Sequence, residues 1–475
     1  MDVLWGIGGM AALVAIGLLL SSNRRAVRWR TVLAALGLQT LFGVIVLYWS
    51  TGRAVLQAVT QGVQAVINSA NAGISFLFGP VLPQGEDAGV VFAFQVLPVI
   101  IFFASLTAVL YHYKILQFVV EKLGAALGKA LGTRKAESVN AAANIFVGQT
   151  EAPLVIRPYL KGLTRSGLFA VMVGGLSTVA GSVLVGYSLL GAPLEYLIAA
   201  SFMAAPGALM MAKLLEPEDP DEPPEDAPAE GATVDEAGDG EVGAEAGDDK
   251  AAGRPRPRTR NRIRARDGEV VTSRGATPVA QEERTGRDGG AGTDEDDDLD
   301  DTMDYRNVID AAASGAADGL KLALNIGAML LAFISLIALV NLLLGTVGGW
   351  FGNPELTFEQ ILGYVFAPLM TVIGVPWAEA TGAGSFVGQK VIVNEFVAFS
   401  NFAPMIEDFS PKTAAIITFA LTGFANLGSL GILLGGLGSL VKHRRREIAT
   451  LGLRAIAAAT LANLMSAAIA GILIG

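Results

Sequence analysis

Two short stretches place ionisable and amide side chains together inside long apolar sequence. The first is Gln149-Thr150-Glu151, which follows Gly148 and precedes Pro153. An amide, a hydroxyl and a carboxylate in a row offer the donors and acceptors that could bind the edge of a planar heterocycle. Ionisable groups at membrane depth are costly and usually line a pathway or a binding site. We therefore treat this stretch as one candidate site.

The second stretch lies in the other half of the chain, where Asn394 and Glu395 interrupt the apolar run from Val391 to Phe399. Further along, Asn426 and Ser429 add donors and acceptors that suit vicinal hydroxyls. Polar groups in corresponding positions of two halves predict one midplane site in a transporter built on a repeat. The alternative is that these groups satisfy each other or the local backbone.

A second candidate site would hold a cation. Asn144, Val147, Thr178 and Val179 could supply an amide oxygen, a hydroxyl and carbonyl oxygens that are freed at helix breaks. These neutral oxygens are the ligands that sodium uses in transporters with broken helices. Lys390 lies close to the second stretch, and we expect it to pair with carboxylates or carbonyls.

The composition indicates a polytopic membrane protein. Of the 475 residues, 52% are hydrophobic and 16% are charged, and the mean hydropathy is +0.51. The chain has no cysteine and only two histidines, His112 and His443. Disulfides and thiolate metal sites are excluded, and a histidine-rich metal site or a Ser-His-Asp triad has almost no residues to draw on.

The negative formal net charge of −10 arises from one insert, residues 216–304. Residues 216–304 contain 28 Asp and Glu against 11 Lys and Arg. The remaining chain is mildly basic, as the positive-inside rule predicts for a membrane protein. Because residues 216–305 have too few apolar side chains to form a core, we predict a disordered linker. Its arginine block, 254–266, is interpreted as a solvated segment that pairs with acidic flanks.

The hydropathy pattern predicts an all-α membrane protein with eight transmembrane helices, interfacial helices and two re-entrant hairpins. Glycine and proline break the hairpin segments, and non-helical backbone at membrane depth needs surrounding protein or a water-filled cavity. The predicted spans are 3–21, 31–50, 91–113, 166–190, 193–215, 319–345, 411–440 (broken near 423–429) and 449–474; the interfacial helices are 53–80, 115–135 and 357–374; the hairpins are 138–160 and 384–405.

The basic clusters give the orientation. Residues 24–30 and 442–446 are rich in arginine and fall on the same side under this count of spans, which places that side in the cytoplasm. Both termini are then outside and the linker is cytoplasmic, in a multi-pass protein of the plasma membrane. The predicted units are an N-terminal region 1–90, a first repeat 91–215, the linker, and a second repeat 306–475, with the repeats inverted.

The sequence resembles the concentrative nucleoside transporter family. The resemblance is carried by four motifs in the family's order, and it covers essentially the whole chain outside the linker. The motifs are Gly148 to Leu154, Asn307 to Gly315, Val391 to Phe399, and Gly423 to Ser429. The resemblance implies a homotrimer in which each protomer has eight spans, two re-entrant hairpins and external termini.

The resemblance also implies roles for individual side chains. Gln149, Thr150 and Glu151 would contact the nucleobase, and Val183 and Phe424 would line the pocket. Glu395, Asn426 and Ser429 would bind the ribose.

In sodium-coupled members, the resemblance places the ion at Asn144, Val147, Thr178 and Val179. This chain has a threonine at 178 where a serine is commoner in the family. The hydroxyl is kept, which favours sodium, although proton-coupled relatives exist.

We therefore predict a cation-coupled nucleoside symporter that is not an enzyme. Its partners would be nucleosides, the lipid bilayer and two further copies of the chain, without nucleic acid and without a cofactor other than the coupling ion. Two alternatives stay open at this point. One is a transporter of another polar solute, such as a nucleobase or a sugar. The other is an intramembrane hydrolase that uses Glu151 and Glu395 as acid and base.

Overall fold

Helices are the only regular elements in the part of the chain that the structure describes. A computed structural model describes residues 2–82, 91–219 and 305–475. The prediction of a disordered linker therefore falls almost entirely outside the described residues. Within those residues the helical prediction is confirmed, and the apolar content of the helices fits a polytopic membrane protein.

The N-terminal part contains five long helices. A left-handed residue, Lys114 (φ 57°), precedes the last of them, and Gly132 (φ 68°) ends it, as is usual for a helix C-terminus. Two short π-helical turns, Val44–Tyr48 and Phe92–Val96, extend the second and fourth helices. The five helices are α1 (Asp2–Leu19), α2 (Trp29–Gly43), α3 (Ser50–Phe78), α4 (Leu97–His112) and α5 (Ile115–Leu131).

The first hairpin is formed by one helix, a non-helical break and two single-turn helices. It covers α6 (Lys135–Ala143), α7 (Ala152–Val155) and α8 (Arg157–Leu160), which is three residues longer at its start than the segment predicted from the sequence. Pro153 and Pro158 each lie in the first turn of one of these short helices. Because Pro158 cannot donate a hydrogen bond to the carbonyl oxygen of Leu154, α7 does not continue into α8.

The next span is broken near its middle. A helix α9 (Arg165–Ser177) ends before the extended residues 178–180, and α10 (Gly181–Leu189) continues after them. The side chain of Thr164 caps α9 by accepting a hydrogen bond of 3.0 Å from the backbone N–H of Gly167. A continuous helix, α11 (Leu194–Leu215), follows.

The second half repeats this order of elements. Capping side chains start most of its helices: Asn307, Thr357, Asn394, Ser410 and Asn426 each accept a hydrogen bond from a backbone N–H of the first turn. The helices are α12 (Val308–Trp350), α13 (Phe358–Val372), α14 (Trp377–Ile392), α15 (Glu395–Phe402), α16 (Pro411–Leu421), α17 (Leu427–Leu440) and α18 (Arg445–Ile474).

The second hairpin, α14 and α15, begins seven residues before the predicted start at 384. Apart from Trp377, residues 377–383 are small or polar and lack a long apolar run, and they form the first turns of α14. They pack closely on α13, where a Cβ atom on Gly363 would lie 2.6 Å from the carbonyl oxygen of Thr381. The axes of α13 and α14 meet at a bend of 117°.

Six helical segments in the described residues are long and apolar enough to cross a membrane, and the bent pair of α13 and α14 would make a seventh if it were one span. The predicted count of eight instead includes α1 and the broken helix α16–α17, whose parts are shorter, and it stays a prediction. The six segments are Trp29–Tyr48, Phe92–His112, Arg165–Leu189, Leu194–Leu215, Val308–Trp350 and Lys442–Ile474.

The buried core lies around α9, α11, α16 and α18, which are buried along most of their length. In contrast, α12 is largely exposed and packs along one side on α4. Two glycines allow this close contact: a Cβ atom on Gly315 would lie 2.7 Å from the carbonyl oxygen of Ala104, and one on Gly319 would lie 2.8 Å from the Cα atom of Ile101. Small residues commonly bring membrane helices together in this way.

The packed part of the chain extends past the predicted linker boundary at residue 215. The side chains of Glu216 and Glu218 are buried. Glu216 forms ion pairs of 2.7 Å with both Arg165 and Arg454, and Glu218 lies 3.1 Å from the Nζ atom of Lys213. Through these ion pairs, Glu216 connects the segment after α11 to Arg165 of α9 and to Arg454 of α18.

Lys213 joins the same polar cluster to the first hairpin. Its Nζ atom donates hydrogen bonds to Glu137 Oε1 (2.6 Å) and Ser166 Oγ (3.1 Å). On the outer edge of the cluster, Arg28 pairs with Glu218 at 2.7 Å. Because this buried cation has three acceptors, the start of α6, the start of α9 and the end of α11 are fixed relative to one another.

Candidate substrate and cation sites

The carboxylate of Glu395 lies at the centre of the second half of the site. Asn394 caps α15 by accepting a hydrogen bond of 2.9 Å from the N–H of Val397, so Glu395 is the first helical residue and its charge lies at the positive end of the helix dipole. The side chain is buried and accepts hydrogen bonds from Tyr187 Oη (3.0 Å) and Asn426 Nδ2 (2.7 Å).

Asn426 uses both ends of its amide. Its Oδ1 atom accepts a hydrogen bond of 2.7 Å from the N–H of Ser429, which caps α17, while its Nδ2 atom donates to Glu395. The predicted ribose residues Glu395, Asn426 and Ser429 are therefore brought together, at the N-terminal ends of two helices. Phe424, predicted to line the pocket, is partly exposed two residues before Asn426.

The two broken helices cross each other at their breaks. The N–H of Phe424 donates to the carbonyl oxygen of Thr178 at 3.2 Å. Asn463, on α18, donates from Nδ2 to the carbonyl oxygens of Ser177 (2.7 Å) and Thr422 (2.9 Å). These two carbonyls are at the C-terminal ends of α9 and α16, where helix geometry leaves carbonyl groups without helical partners.

The crossing requires a glycine at position 423. The φ angle of Gly423 is +154°, and a Cβ atom there would lie 2.5 Å from Asn463 Oδ1 and 2.8 Å from the carbonyl oxygen of Ser177. Any larger residue would therefore push the two breaks apart.

The three predicted nucleobase residues point to different neighbours. Gln149 is buried against Gly175 of α9, and Thr150 lies against Gly436 of α17. Glu151 turns back on the break, where its Oε2 atom accepts a hydrogen bond of 2.6 Å from the N–H of Gly148. The three residues are consecutive in the sequence. Because they lie in a break without regular helical geometry, their side chains point in three different directions.

Glu151 faces a cavity of about 300 Å³ between the first hairpin and the pair α4 and α12. This volume is at the lower end of the range for small-molecule sites. Glu151 is accessible from the cavity although protein surrounds it. The polar lining comes from Thr107, Tyr111, Thr150, Glu151, Ser182, Tyr305, Asp318 and Asn325.

Glu395, Asn426 and Ser429 are not part of this lining, and neither is Val183, which is buried within α10. In the arrangement described by the structure, the two halves of the predicted substrate site therefore do not open into one cavity. Their joint contact with a substrate stays a prediction.

The predicted cation residues surround the break of α9. Asn144 follows the last residue of α6, and its Nδ2 atom donates to the carbonyl oxygen of Asn140 at 2.9 Å. Thr178 donates from Oγ1 to the carbonyl oxygen of Gly174 at 2.8 Å. Val147 and Val179 are buried beside these residues and can contribute carbonyl oxygens.

Three side-chain oxygens in this region are buried and have no hydrogen-bond partner in the described part of the chain. They are Asn140 Oδ1, Asn144 Oδ1 and Gln149 Oε1. All three side chains pack against Gly174 or Gly175 of α9. A buried acceptor without a donor is unfavourable, and a cation among these oxygens would satisfy them. Neutral oxygen ligands suit a hard cation, and the described residues contain no cluster of His, Cys, Asp or Glu that could hold another metal.

Sequence reasoning missed two residues of the site. Tyr187 is a single tyrosine in the apolar run of α10, and Asn463 is a single asparagine in an Ala-rich span. The signal available for Asn463 was its polarity at membrane depth, which marks a residue with a partner.

Lys390 was expected to pair with carboxylates or carbonyls, and its Nζ atom donates to the carbonyl oxygen of Ala420 at 2.7 Å.

The site has the features of a polytopic helical transporter. Two broken helices cross, a bent hairpin carries a carboxylate at a helix end, and several buried oxygens among the described residues lack donors. Three family models match the chain: "Na+ dependent nucleoside transporter N-terminus" at residues 8–81, "Nucleoside recognition" at 93–194, and "Na+ dependent nucleoside transporter C-terminus" at 268–471. The chain belongs to the concentrative nucleoside transporter family.

Similar proteins cover the same length. The uncharacterised transporter YutK of Bacillus subtilis is 48% identical over 474 residues, with all of both chains covered. The nucleoside permease NupC of Helicobacter pylori is 41% identical, covering 99% of this chain and 98% of its own. A solved structure of the transporter CNTnw in an inward-facing, substrate-bound state is 45% identical, with a TM-score of 0.80 over 100% of this chain and 98% of that one.

Proposed function

We propose that this protein is a Na⁺-coupled symporter that imports nucleosides across the plasma membrane by alternating access. The observation that carries the proposal is the Glu395 carboxylate, which is buried at the start of α15 and held by Tyr187 and Asn426. A carboxylate that is fixed in this way can accept hydrogen bonds from the two vicinal hydroxyls of a ribose without reorganising.

The nucleobase would be bound by the first hairpin. Gln149, Thr150 and Glu151 supply donors and acceptors, and the apolar side chains of Val183 and Phe424 would contact the faces of the ring. In the described arrangement Glu151 is accessible from the cavity while Glu395 is enclosed. We infer that the two groups come to share one site when the hairpins move towards each other.

Sodium would bind between the first hairpin and the break of α9. The unpartnered oxygens of Asn140, Asn144 and Gln149 support this position, together with the hydroxyl of Thr178. Gln149 would then contribute to both sites, because it belongs to the predicted nucleobase residues and also packs on α9. Such a shared residue would couple ion binding to substrate binding.

We infer the direction of access from the residues that line the cavity. It is lined by Tyr111, close to the end of α4, and by Tyr305, which precedes α12 and follows the linker. With both termini outside and the linker in the cytoplasm, as the basic clusters predict, these residues lie towards the cytoplasm. The arrangement would then be open to the inside, the state from which a nucleoside is released.

A homotrimer would cover the exposed side of α12. Leu324, Leu331 and Leu342 are 62%, 73% and 67% exposed. Because the chain has no cysteine, a single Leu331→Cys substitution can be cross-linked by a short bismaleimide without background. We expect oligomeric cross-linked products in membranes with this variant and none with Leu453→Cys on α18; equal products from both positions would contradict an interface at α12.

The function is tested by uptake of labelled uridine into proteoliposomes. We expect uptake when external Na⁺ is present and loss of uptake when choline replaces it at fixed pH. Glu395→Gln and Glu151→Gln should each lower uptake by about a hundredfold or more, whereas Glu407→Gln, at an exposed carboxylate after α15, should transport like the wild type. Uptake that survives both substitutions would refute the assigned substrate site.

Two further measurements separate the alternatives. Competition by ribose or by uracil alone as strong as that by unlabelled uridine would indicate a transporter for another polar solute. Recovery of the label as intact uridine is expected for a transporter, whereas breakdown of uridine by the protein in detergent, without a gradient, would indicate a hydrolase.

A further inference from the structure

The two halves of the molecule contain two similar junctions. In each, the first arm of a bent hairpin packs on the first half of a broken helix: α6 on α9, and α14 on α16. The carbonyl groups at the C-terminal ends of α9 and α16 carry the negative ends of the helix dipoles. Each junction therefore attracts positive charge into a buried environment.

In the first junction the buried cation Lys213 bonds to Glu137 and Ser166 near the starts of α6 and α9, and not to the groups at the end of α9. The end of this junction, beside Gly174 and Gly175 of α9, contains the unpartnered oxygens of Asn140, Asn144 and Gln149, and sodium is proposed above to bind there. The second junction contains Lys390, whose side chain is completely buried. Its Nζ atom donates to the carbonyl oxygen of Ala420 (2.7 Å) and to Asn463 Oδ1 (2.8 Å).

Lys390 is linked to both helix breaks, directly to the end of α16 and through Asn463 to the end of α9. Ala420 is in the last turn of α16, so its carbonyl oxygen has no helical partner. Asn463 accepts from Lys390 and donates to the carbonyl oxygens of Ser177 and Thr422. One ammonium group, through one amide, thus holds the ends of α9 and α16 together.

The crossing held in this way positions the substrate residues. Immediately after it, the N–H of Phe424 bonds to the carbonyl oxygen of Thr178, and Asn426 holds Glu395. Thr178 is also one of the residues proposed to bind sodium. The charge of Lys390 therefore acts where the ion residues and the ribose residues meet, without itself touching either ligand in the described arrangement.

We propose that the Lys390 ammonium is a tethered cation, which occupies the second junction in the way that the coupling sodium ion occupies the first. Lys390 is then a positioning residue: its charge holds the two breaks in the geometry that Phe424 and Asn426 need to bind the nucleoside. This inference rests on the proposed function for its effect on substrate, but the requirement for a cation in the junction is independent of it.

The test is chemical rescue of Lys390→Ala in purified protein, measured as the thermal unfolding midpoint and as uridine binding by calorimetry in sodium. Alanine leaves empty the space of three carbon atoms and the ammonium group. Propylammonium fills this space with a charged group, and 1-propanol fills it with three carbons and a neutral hydroxyl. We expect the variant to unfold at a lower temperature and to bind uridine at least tenfold more weakly. Propylammonium should restore both quantities, and 1-propanol should restore neither.

Two variants complete the design. Lys390→Met fills the same space without a charge, so we expect it to fold, to bind uridine at least tenfold more weakly and to be insensitive to propylammonium. Lys129→Ala removes an exposed lysine of α5 and should match the wild type in all conditions. If Lys390→Ala yields no folded protein, Lys390→Met decides the question through its uridine affinity.

The proposal is overturned if Lys390→Met binds uridine as the wild type does, or if 1-propanol restores Lys390→Ala as well as propylammonium does. If the wild type itself fails to bind uridine, the proposed function is wrong. The unfolding midpoints of Lys390→Ala with propylammonium and with 1-propanol then still decide whether the second junction requires a cation.

Discussion

Tyr187 and Glu395 are 208 positions apart in the chain and share a buried hydrogen bond of 3.0 Å between the phenolic oxygen and the carboxylate. The tyrosine ring is held by two neighbours of the carboxylate. It stacks on Phe399 with a centroid distance of 4.5 Å and meets Phe396 edge to face at 4.7 Å. The bond thus ties α10 of the first half to α15 of the second.

Tyr187→Phe should weaken nucleoside binding and leave the fold intact, because the ring still packs on Phe399 while Glu395 loses one of its two donors. A hydrogen bond to a charged group contributes roughly 1.5–3 kcal/mol, so the KM for uridine should rise by about tenfold or more. The measurement is the concentration dependence of uptake in proteoliposomes. Tyr364→Phe, on the exposed side of α13, is the control; an unchanged KM in Tyr187→Phe would show that the bond does not orient the carboxylate.

Glu395→Gln should reduce kcat/KM for uridine by about a hundredfold or more, because a neutral amide forms weaker bonds to two hydroxyls than a carboxylate does. Competition by 2′-deoxyuridine and 3′-deoxyuridine supplies the specific measurement. Each analogue should bind less well than uridine to the wild type, and the difference should shrink in the variant. If the variant still discriminates as the wild type does, another group reads the ribose.

Asn144→Ala should raise the Na⁺ concentration for half-maximal uptake by about tenfold, since removal of one oxygen ligand from a buried ion has a cost similar to that of a lost hydrogen bond to a charge. The measurement is uridine uptake against Na⁺ at constant ionic strength. Asn68→Ala, on the exposed face of α3, removes an amide far from the site and serves as the control. An unaltered sodium curve in Asn144→Ala would place the ion elsewhere.

Glu218 should contribute stability that depends on pH. Burial raises the pKa of this carboxyl, but the charges of Lys213, Arg28 and Arg134 outweigh burial, so that its pKa lies below the ordinary value of 4.5. A group with a lowered pKa in the folded state stabilises the fold above its unfolded pKa, and this contribution is lost as the pH falls through the folded pKa.

Glu218→Gln should therefore unfold at a lower temperature than the wild type at pH 7, with a loss of about 1–3 kcal/mol because buried cations lose their partner. The difference should narrow once the pH falls below 4.5. Thermal unfolding of both proteins in detergent across this range provides the measurement. A difference that is constant with pH would mean that the charge of Glu218 has no role.

Gly423→Ala should destabilise the crossing of the broken helices by about 2 kcal/mol or more, because the added methyl group would collide with backbone as well as with Asn463. Gly62→Ala is the matched control, since nothing lies within 4 Å of a Cβ atom there and α3 is helical; it should be neutral or slightly stabilising. Thermal unfolding compares the two variants. Equal midpoints would show that the crossing can relax at no cost.

The helix breaks were predictable from the sequence because they have local causes. Pro153 and Pro158 remove backbone donors. Asn426 favours a helix cap, and Gly423 can adopt a positive φ angle. Where the local signal is ambiguous, the prediction failed. Residues 377–383 combine three alanines with Thr381 and Gly382, so their sequence does not mark where the hairpin begins, and they pack on α13 in a contact that no local pattern encodes.

By itself, the sequence determined that the chain is a helical membrane protein and which family it resembles. It also determined that Glu151 and Glu395 belong to polar breaks. These conclusions were possible because a lipid environment requires long apolar segments, in which each polar residue is conspicuous. Only the tertiary structure decided the partners of those residues. Tyr187, Asn463 and Lys390 are joined to the site by side chains and carbonyl groups that lie far away in the chain. Such contacts depend on how helices cross, and crossing depends on packing over the whole molecule.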